Sequence, residues 1–279
     1  GEVHPGIDLG KGTLKQKYVI RGNRMYGKIC KELDVPFQRR RQYVEMMHWG
    51  ELLPVSLFAW QRKHICGVSD TRLIAGSALR KKEPHMNPDM KFALCNQSAG
   101  SVCPYGLTIA YAENAVQNGA EIALNTAVLS MQVEDGKIQS VLTNRGRIYP
   151  GIVINAAGVF AEDIAKMAGD RFYSIHPRKG TNAILDKKAG YLMKGIASWK
   201  TLRKTAGHTK GGGIVHTAHD NLLVGPDAIE TYEKENFATE RSSIEKNFEK
   251  QKITVAELSE RDIITYFTGV RAPTFEEDF

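Results

Sequence analysis

The chain has 279 residues, of which 42% are hydrophobic and 25% charged. This is the range of an ordinary globular protein and excludes collagen-like, low-complexity and wholly disordered chains. The net charge is +7, but the basic residues are scattered and the densest run is Arg39-Arg40-Arg41. That pattern argues against a nucleic-acid binder, which would carry a longer basic stripe or a recognisable motif. A mildly basic surface suits anionic metabolites or a membrane face equally well.

Length predicts two domains or one large one. The longest apolar runs, such as Ile152 to Ile154 extended through Ala156 and Ala157, fall far short of the ~20 residues that cross a bilayer. The start of the chain lacks the apolar core of a signal peptide. Cys30, Cys66, Cys95 and Cys103 form no C-x-x-C, and no His pair stands at zinc spacing. They are expected to be reduced thiols in a cytosolic protein that binds no metal. A redox pair of Cys95 and Cys103 has no further support in the sequence.

Residues 13–33 read as a helix, with Tyr18, Met25, Ile29 and Leu33 at helical spacing. Residues 37–47 carry the bias of a strand. Residues 53–64 read as a helix with Pro54 in its first turn, and 77–82 as a short helix capped by Ser77. A short strand is expected at 90–96. Residues 104–118 read as an amphipathic helix, with Leu107, Ala110, Tyr111 and Ala115 on one face and Gly119 at its stop. Strands follow at 121–124, 127–133 and 138–142, the last two joined by an Asp135-Gly136 hairpin turn. Asn144-Arg145-Gly146 turns into a further short strand at 148–149. Residues 151–155 read as a buried strand and 159–168 as a helix. Helices on a central parallel sheet are the natural assembly. After Asp170 the pattern changes. Strands at 173–185, 213–217, 222–225 and 263–268, with helices at 242–251 and 255–258, predict an antiparallel sheet with a helix packed on it.

Three constellations carry chemistry. Val153-Ile154-Asn155-Ala156-Ala157-Gly158 ends a strand in small residues before a helix. There a ligand's polar groups can approach backbone N–H groups; an ordinary tight turn has the same sequence. Gly269-Val270-Arg271 offers a guanidinium after a strand, suited to a carboxylate or phosphate, or simply exposed at the surface. His176-Pro177-Arg178-Lys179-Gly180 places a titratable ring and two cations at the start of a strand; a structural histidine is the plainer alternative. Glycine-rich nucleotide motifs are absent. Gly10-Lys11-Gly12 lacks a third glycine, Gly211-Gly212-Gly213 precedes a strand, and no G-x-G-x-x-G or G-x-x-x-x-G-K-[ST] occurs. Neither G-x-S-x-G nor H-E-x-x-H is present.

Together, these segments with Val3-His4-Pro5-Gly6, Ala99-Gly100-Ser101-Val102-Cys103-Pro104, Leu223-Val224-Gly225-Pro226 and Phe267-Thr268-Gly269-Val270-Arg271 resemble the FAD-dependent D-amino-acid-oxidase-like superfamily. The likeness is greatest to its glycerol-3-phosphate dehydrogenase and L-2-hydroxyglutarate oxidase branch. The resemblance implies a mixed α/β (α+β) fold: an FAD/NAD(P)-binding-like parallel sheet with a β-meander, plus an antiparallel-sheet substrate domain. Residues 1–36 and 101–172 would form a partial FAD-binding domain, and 37–100 with 173–279 a discontinuous substrate-binding domain. His4 would lie beside the flavin as the catalytic residue. Val128, Ala156, Ala157, Gly158 and Gly225 would contact FAD, and Arg271, Arg178, Lys179 and His176 would hold an anionic substrate. The implied reaction is hydride transfer to FAD from glycerol 3-phosphate or a small 2-hydroxy acid.

The family's opening strand with G-x-G-x-x-G and its glycine-rich closing segment are both missing. The 279 residues are therefore expected to be a fragment of a longer flavoenzyme, inactive and without bound FAD by themselves. Two other readings stay open: an amine oxidase of the glycine-oxidase type, and a non-catalytic module that kept the fold. The electron acceptor is not legible. The expected location is the cytoplasm or the inner face of its membrane, with peripheral attachment compatible with the charge.

Overall fold

The computed structural model describes residues 1–199 and 212–274. Gly211 of the triple glycine and the stretch 275–279 lie outside the described residues. The first elements are β1 (Glu2–Val3), α1 (Leu14–Glu32), β2 (Phe37–Arg39), β3 (Gln42–Met46), α2 (Leu52–His64), β4 (Thr71–Ala75), α3 (Gly76–Arg80), β5 (Phe92–Asn96), β6 (Gly100–Val102) and α4 (Pro104–Gln117). Then come β7 (Val128–Glu134), β8 (Lys137–Thr143), β9 (Gly146–Ile148), α5 (Ala161–Met167), β10 (Arg178–Leu185) and β11 (Ile196–Trp199). The last are β12 (Gly213–His216), β13 (Leu222–Gly225), β14 (Ile229–Glu230), α6 (Arg241–Gln251) and β15 (Ile263–Arg271).

Over its described residues, packing divides the chain into two compact units. One gathers Gly1–Gln117, Thr181–Asp227 and Thr239–Phe267; the other gathers Asn118–Gly180, Ala228–Ala238 and the chain from Thr268 onward. The expected cofactor and substrate domains are divisions by role, and packing groups the residues along other lines.

The first unit is built on a mixed sheet in the order β10, β13, β12, β11, β3, β5, β4. Its neighbours run antiparallel except β11 and β3, which pair in parallel from Ile196 opposite Gln42. Side chains alternate across a strand, so Ile214, Leu222 and Val224 face one core while Val215 and Leu223 face away from it. α6 covers the first face. Its Ile244 and Phe248, four residues apart, join Tyr43, Leu185 and Ile214 in that core. α2 packs Val55 and Ala59 against Val44, Phe92 and Leu94. A small antiparallel sheet, β1-β6-β2, pairs Val3 with Gly100 and Gln38 with Ser101. Cys30 of α1 and Leu107 of α4 pack against its Val3 and Val102. α1 begins where the sequence predicts, because the Thr13 hydroxyl accepts from the Gln16 N–H at 3.2 Å and supplies the N-cap.

The second unit carries the antiparallel meander β7-β8-β9. Asp135 and Gly136 turn it at φ 49° and 73°, the left-handed pair that a two-residue hairpin requires. Glu162 of α5 accepts from the Ile175 N–H at 2.7 Å and pairs with Lys166. β14 pairs with the first residues of β10, Arg178 opposite Glu230.

The mixed α/β class, the meander and the helix-covered antiparallel sheet follow the expectation. Several local readings do not. Residues 37–47 divide at Arg40 and Arg41 into strands of two different sheets. Residues 121–124 and 255–258 are loop and turn. The 151–155 stretch is unpaired coil, with Ile152 and Ile154 85% and 86% exposed. An apolar run becomes a buried strand only where a neighbouring strand takes its N–H and C=O groups, and no described strand does so here. Ser77 does not cap α3, which starts at Gly76 with no side-chain cap. No helix of the described residues is long and apolar enough to cross a membrane.

Candidate active site around His4

A cavity of about 560 Å³ opens in the first unit. Ile7, Val44, Ile196, Val215 and Leu223 form an apolar wall. Glu2, His4, Asp8, Gln42, Thr217 and Asn221 supply polar groups. The strands explain this convergence. Asn221, Leu223 and Gly225 alternate toward the cavity, while Leu222 and Val224 point into the core behind it. The turn between β12 and β13 is fixed by Thr217, whose hydroxyl accepts from the N–H groups of His219 at 3.3 Å and Asn221 at 3.1 Å. Asp220 braces the same turn through His216 and Arg40, each at 3.2 Å. The hydrogen bond from His216, followed by that from Arg40, holds the Asp220 carboxyl below its ordinary range.

His4 has a polar neighbour at each ring nitrogen, and one of these contacts is a hydrogen bond. The Gly6 N–H donates to Nδ1 at 3.2 Å. A backbone N–H can only donate, so Nδ1 carries no hydrogen and the neutral ring bears its proton on Nε2. Nε2 lies 3.3 Å from Asp8 Oδ1. The close turn needs glycine at position 6. Its φ is +82°, and a Cβ there would lie 3.1 Å from Cγ1 of Ile20 on α1.

Gln42 donates from Nε2 to Glu2 Oε1 at 2.9 Å, and its own Oε1 is buried without a hydrogen-bond partner. A buried, unmatched acceptor on a residue lining a cavity fits a ligand that brings an N–H or O–H donor. The apolar wall with polar groups at its edge fits a flat ring system. The residues present therefore suit the ring end of a flavin. Among the described residues no group of three or more His, Cys, Asp or Glu side chains is placed to hold a metal ion, and all four cysteines are free thiols.

The remaining residues singled out in the sequence fall as follows. Gly225 lines the cavity at φ +131°. A Cβ there would meet Thr181 O at 2.6 Å, so close strand packing alone demands glycine. Val128 is half-buried at the start of β7. Ala156, Ala157 and Gly158 form an exposed turn in which Oδ1 of the Asn155 side chain accepts from the Ala157 N–H at 3.3 Å. Arg178, Lys179, His176 and Arg271 come together in the second unit. Arg178 pairs with Glu230 at 3.0 Å, and Lys179 donates to Asn236 at 3.3 Å. Arg271 donates to the Lys179 carbonyl at 3.4 Å, and the His176 N–H to the Pro273 carbonyl at 2.8 Å. None of these four is among the described residues that line the 560 Å³ cavity. Glu2, Gln42, Thr217 and Asn221 were not anticipated. The alternation of 221, 223 and 225 was the one available signal.

Over residues 1–279 the chain matches the family described as FAD dependent oxidoreductase. It is 31% identical over 277 residues to the glycerol 3-phosphate dehydrogenase of Caloramator mitchellensis, covering 99% of this chain and 56% of that protein. The chain thus spans about half the length of this curated relative. Its fold superposes on dithionite-reduced L-alpha-glycerophosphate oxidase from Mycoplasma pneumoniae with FAD bound, at TM-score 0.83 and 22% identity, covering 99% of this chain and 72% of that one. Glycine oxidase from Bacillus cereus superposes at TM-score 0.82 and 18% identity, covering 99% and 74%. The chain belongs to the family of FAD dependent oxidoreductases.

Proposed function

We propose that the protein, in its full length, is an FAD-dependent oxidoreductase that oxidises the secondary hydroxyl of glycerol 3-phosphate. The observation that carries this reading is the 31% identity to a glycerol 3-phosphate dehydrogenase across 99% of the chain. It coincides with a histidine, hydrogen-bonded at Nδ1 and beside a carboxylate at Nε2, on the wall of an apolar cavity. FAD, when bound, supplies the acceptor for the hydride leaving the carbinol carbon.

The chain's own residues do the rest. His4 takes the hydroxyl proton at Nδ1, the nitrogen that carries none, in exchange for its bond from the Gly6 N–H. Asp8 beside Nε2 then stabilises the charged ring. Ile7, Val44 and Val215 keep water from the reacting carbon. Arg271, Arg178, Lys179 and His176 are assigned to an anionic group by the family resemblance, with the guanidinium and ammonium groups able to give it charge-assisted hydrogen bonds. Ala156, Ala157, Gly158 and Val128 are assigned to the dinucleotide end of FAD, where the backbone turn is open to a ligand.

A second reading is favoured by one observation. Among the described side chains lining the cavity, the formal charges are the carboxylates of Glu2 and Asp8. A cationic amine substrate would be drawn to them. Steady-state turnover of the FAD-loaded protein separates the two. Glycerol 3-phosphate oxidised and sarcosine left intact supports the first reading; the reverse replaces it with the second.

A further inference from the structure

His4 does not hold itself in place. Its ring is set by Gly6 and Asp8, but its main chain is held from another element. Asn23, at the midpoint of α1 and buried, donates from Nδ2 to the His4 carbonyl at 3.0 Å and to the Ser98 carbonyl at 2.9 Å. Both amide hydrogens are thereby used. Arg39 fixes which way the amide points. Its Nη1 donates to Asn23 Oδ1 at 2.9 Å and its Nη2 to the Asn23 carbonyl at 2.8 Å. A guanidinium has donors and no acceptor, so the amide oxygen must face Arg39 and the amide nitrogen must face His4.

Ser98 is itself anchored. Its N–H and its hydroxyl both donate to Asn96 Oδ1 at 2.8 Å, and Asn96 Nδ2 donates to the Thr71 hydroxyl at 3.2 Å. Thr71 and Asn96 are opposed residues on β4 and β5. A chain of directed hydrogen bonds thus runs from the large sheet through Asn96, Ser98 and Asn23 to the backbone of His4. The Ser98 N–H, which can only donate, fixes the Asn96 amide, and the Arg39 guanidinium fixes that of Asn23.

We propose that Asn23 is a positioning residue for His4, fixing the imidazole at the cavity wall through the histidine's own carbonyl. This rests on the reading of His4 as the group that handles the substrate's proton. The structural part of the claim stands apart from that reading. A helix residue that only packs would not need both amide hydrogens aimed at carbonyls outside its own helix.

The test is Asn23→Asp, nearly the same size and still able to pair with Arg39, but with no N–H for the His4 and Ser98 carbonyls. Asn23→Ala is the second variant. Long-range ¹H–¹⁵N NMR of the whole protein reports the ring nitrogens of His4, with His216, bonded to the Met193 carbonyl at 2.5 Å, as the internal reference. The expected result is that the Nδ1 signal of His4 moves away from that of a nitrogen receiving the Gly6 bond, while His216 is unchanged. In the FAD-loaded enzyme kcat should fall by about 10- to 100-fold with KM within about threefold, the cost of misplacing a reacting group by an ångström. An unmoved His4 signal in Asn23→Asp overturns the proposal, as does equal movement of His216, which would mark a general loss of structure. If His4 moves and the enzyme never oxidised glycerol 3-phosphate, the functional reading fails and the positioning role stands.

Discussion

The hydroxyl of Thr254, in the turn after α6, donates to Glu45 Oε2 on β3 at 3.1 Å, while the other carboxyl oxygen of Glu45 is buried without a partner. The side chain has no exposure to solvent. Burial pushes its pKa from 4.5 up to about 7, with the Thr254 hydrogen bond pulling only part of the way back.

This carboxyl gives the protein a specific pH dependence. Below pH 4.5 it is protonated whether the chain is folded or not, and contributes no slope. Between 4.5 and about 7 the unfolded chain releases the proton and the folded chain keeps it, so stability falls as pH rises. Above 7 the loss levels off, at a total of about 3 kcal/mol. Glu45→Gln cannot ionise and should lose this component. Urea unfolding of both proteins across that pH range checks it; parallel curves would show that Glu45 ionises normally.

Gly6→Ala should disturb the site before it disturbs the fold. The φ of +82° disfavours any Cβ, and the new methyl would press on Ile20. A loss of roughly 1–2 kcal/mol is expected from the backbone conformation alone. Because the Gly6 N–H holds His4 Nδ1, turnover should fall by more than that stability loss explains. Thermal unfolding and kcat measured side by side decide it, and full activity would mean that the Gly6 bond does not set the ring.

Arg271→Ala should raise KM for glycerol 3-phosphate by at least about tenfold, the scale of a charge-assisted contact to an anion. Arg271 donates to the Lys179 carbonyl at 3.4 Å, and thermal unfolding of the variant separates a loss of fold from a loss of binding. Unchanged kinetics would remove Arg271 from substrate binding.

The helices were legible where local rules decide. α1 announces itself by Thr13 and its apolar spacing, α2 by Pro54 in its first turn, and the β7–β8 hairpin by Asp135-Gly136. β4, β6 and β11 were not read at all. They are short, and their identity comes from partners distant in the chain, such as Ile196 opposite Gln42. Residues 151–155 misled because hydrophobicity signals burial, while strand formation also needs a pairing neighbour. His4 could be picked out from Val3-His4-Pro5-Gly6 together with the family resemblance. Glu2, Gln42 and Asn221 could not, since three separate strands or their turns bring them to one cavity. In the sequence Asn23 carries no motif, standing between Gly22 and Arg24 on a helix rich in Lys and Arg. Its importance lies in the direction of its amide, which Arg39 sets.

The central claim is that the protein oxidises glycerol 3-phosphate with FAD. Anaerobic mixing of the full-length, FAD-loaded protein with glycerol 3-phosphate, followed by the flavin's visible absorbance, tests it most directly. The yellow absorbance should bleach with glycerol 3-phosphate, stay with sarcosine, and bleach far more slowly in His4→Ala. A flavin that stays oxidised with glycerol 3-phosphate, or that His4→Ala reduces as fast as the parent protein, would contradict it.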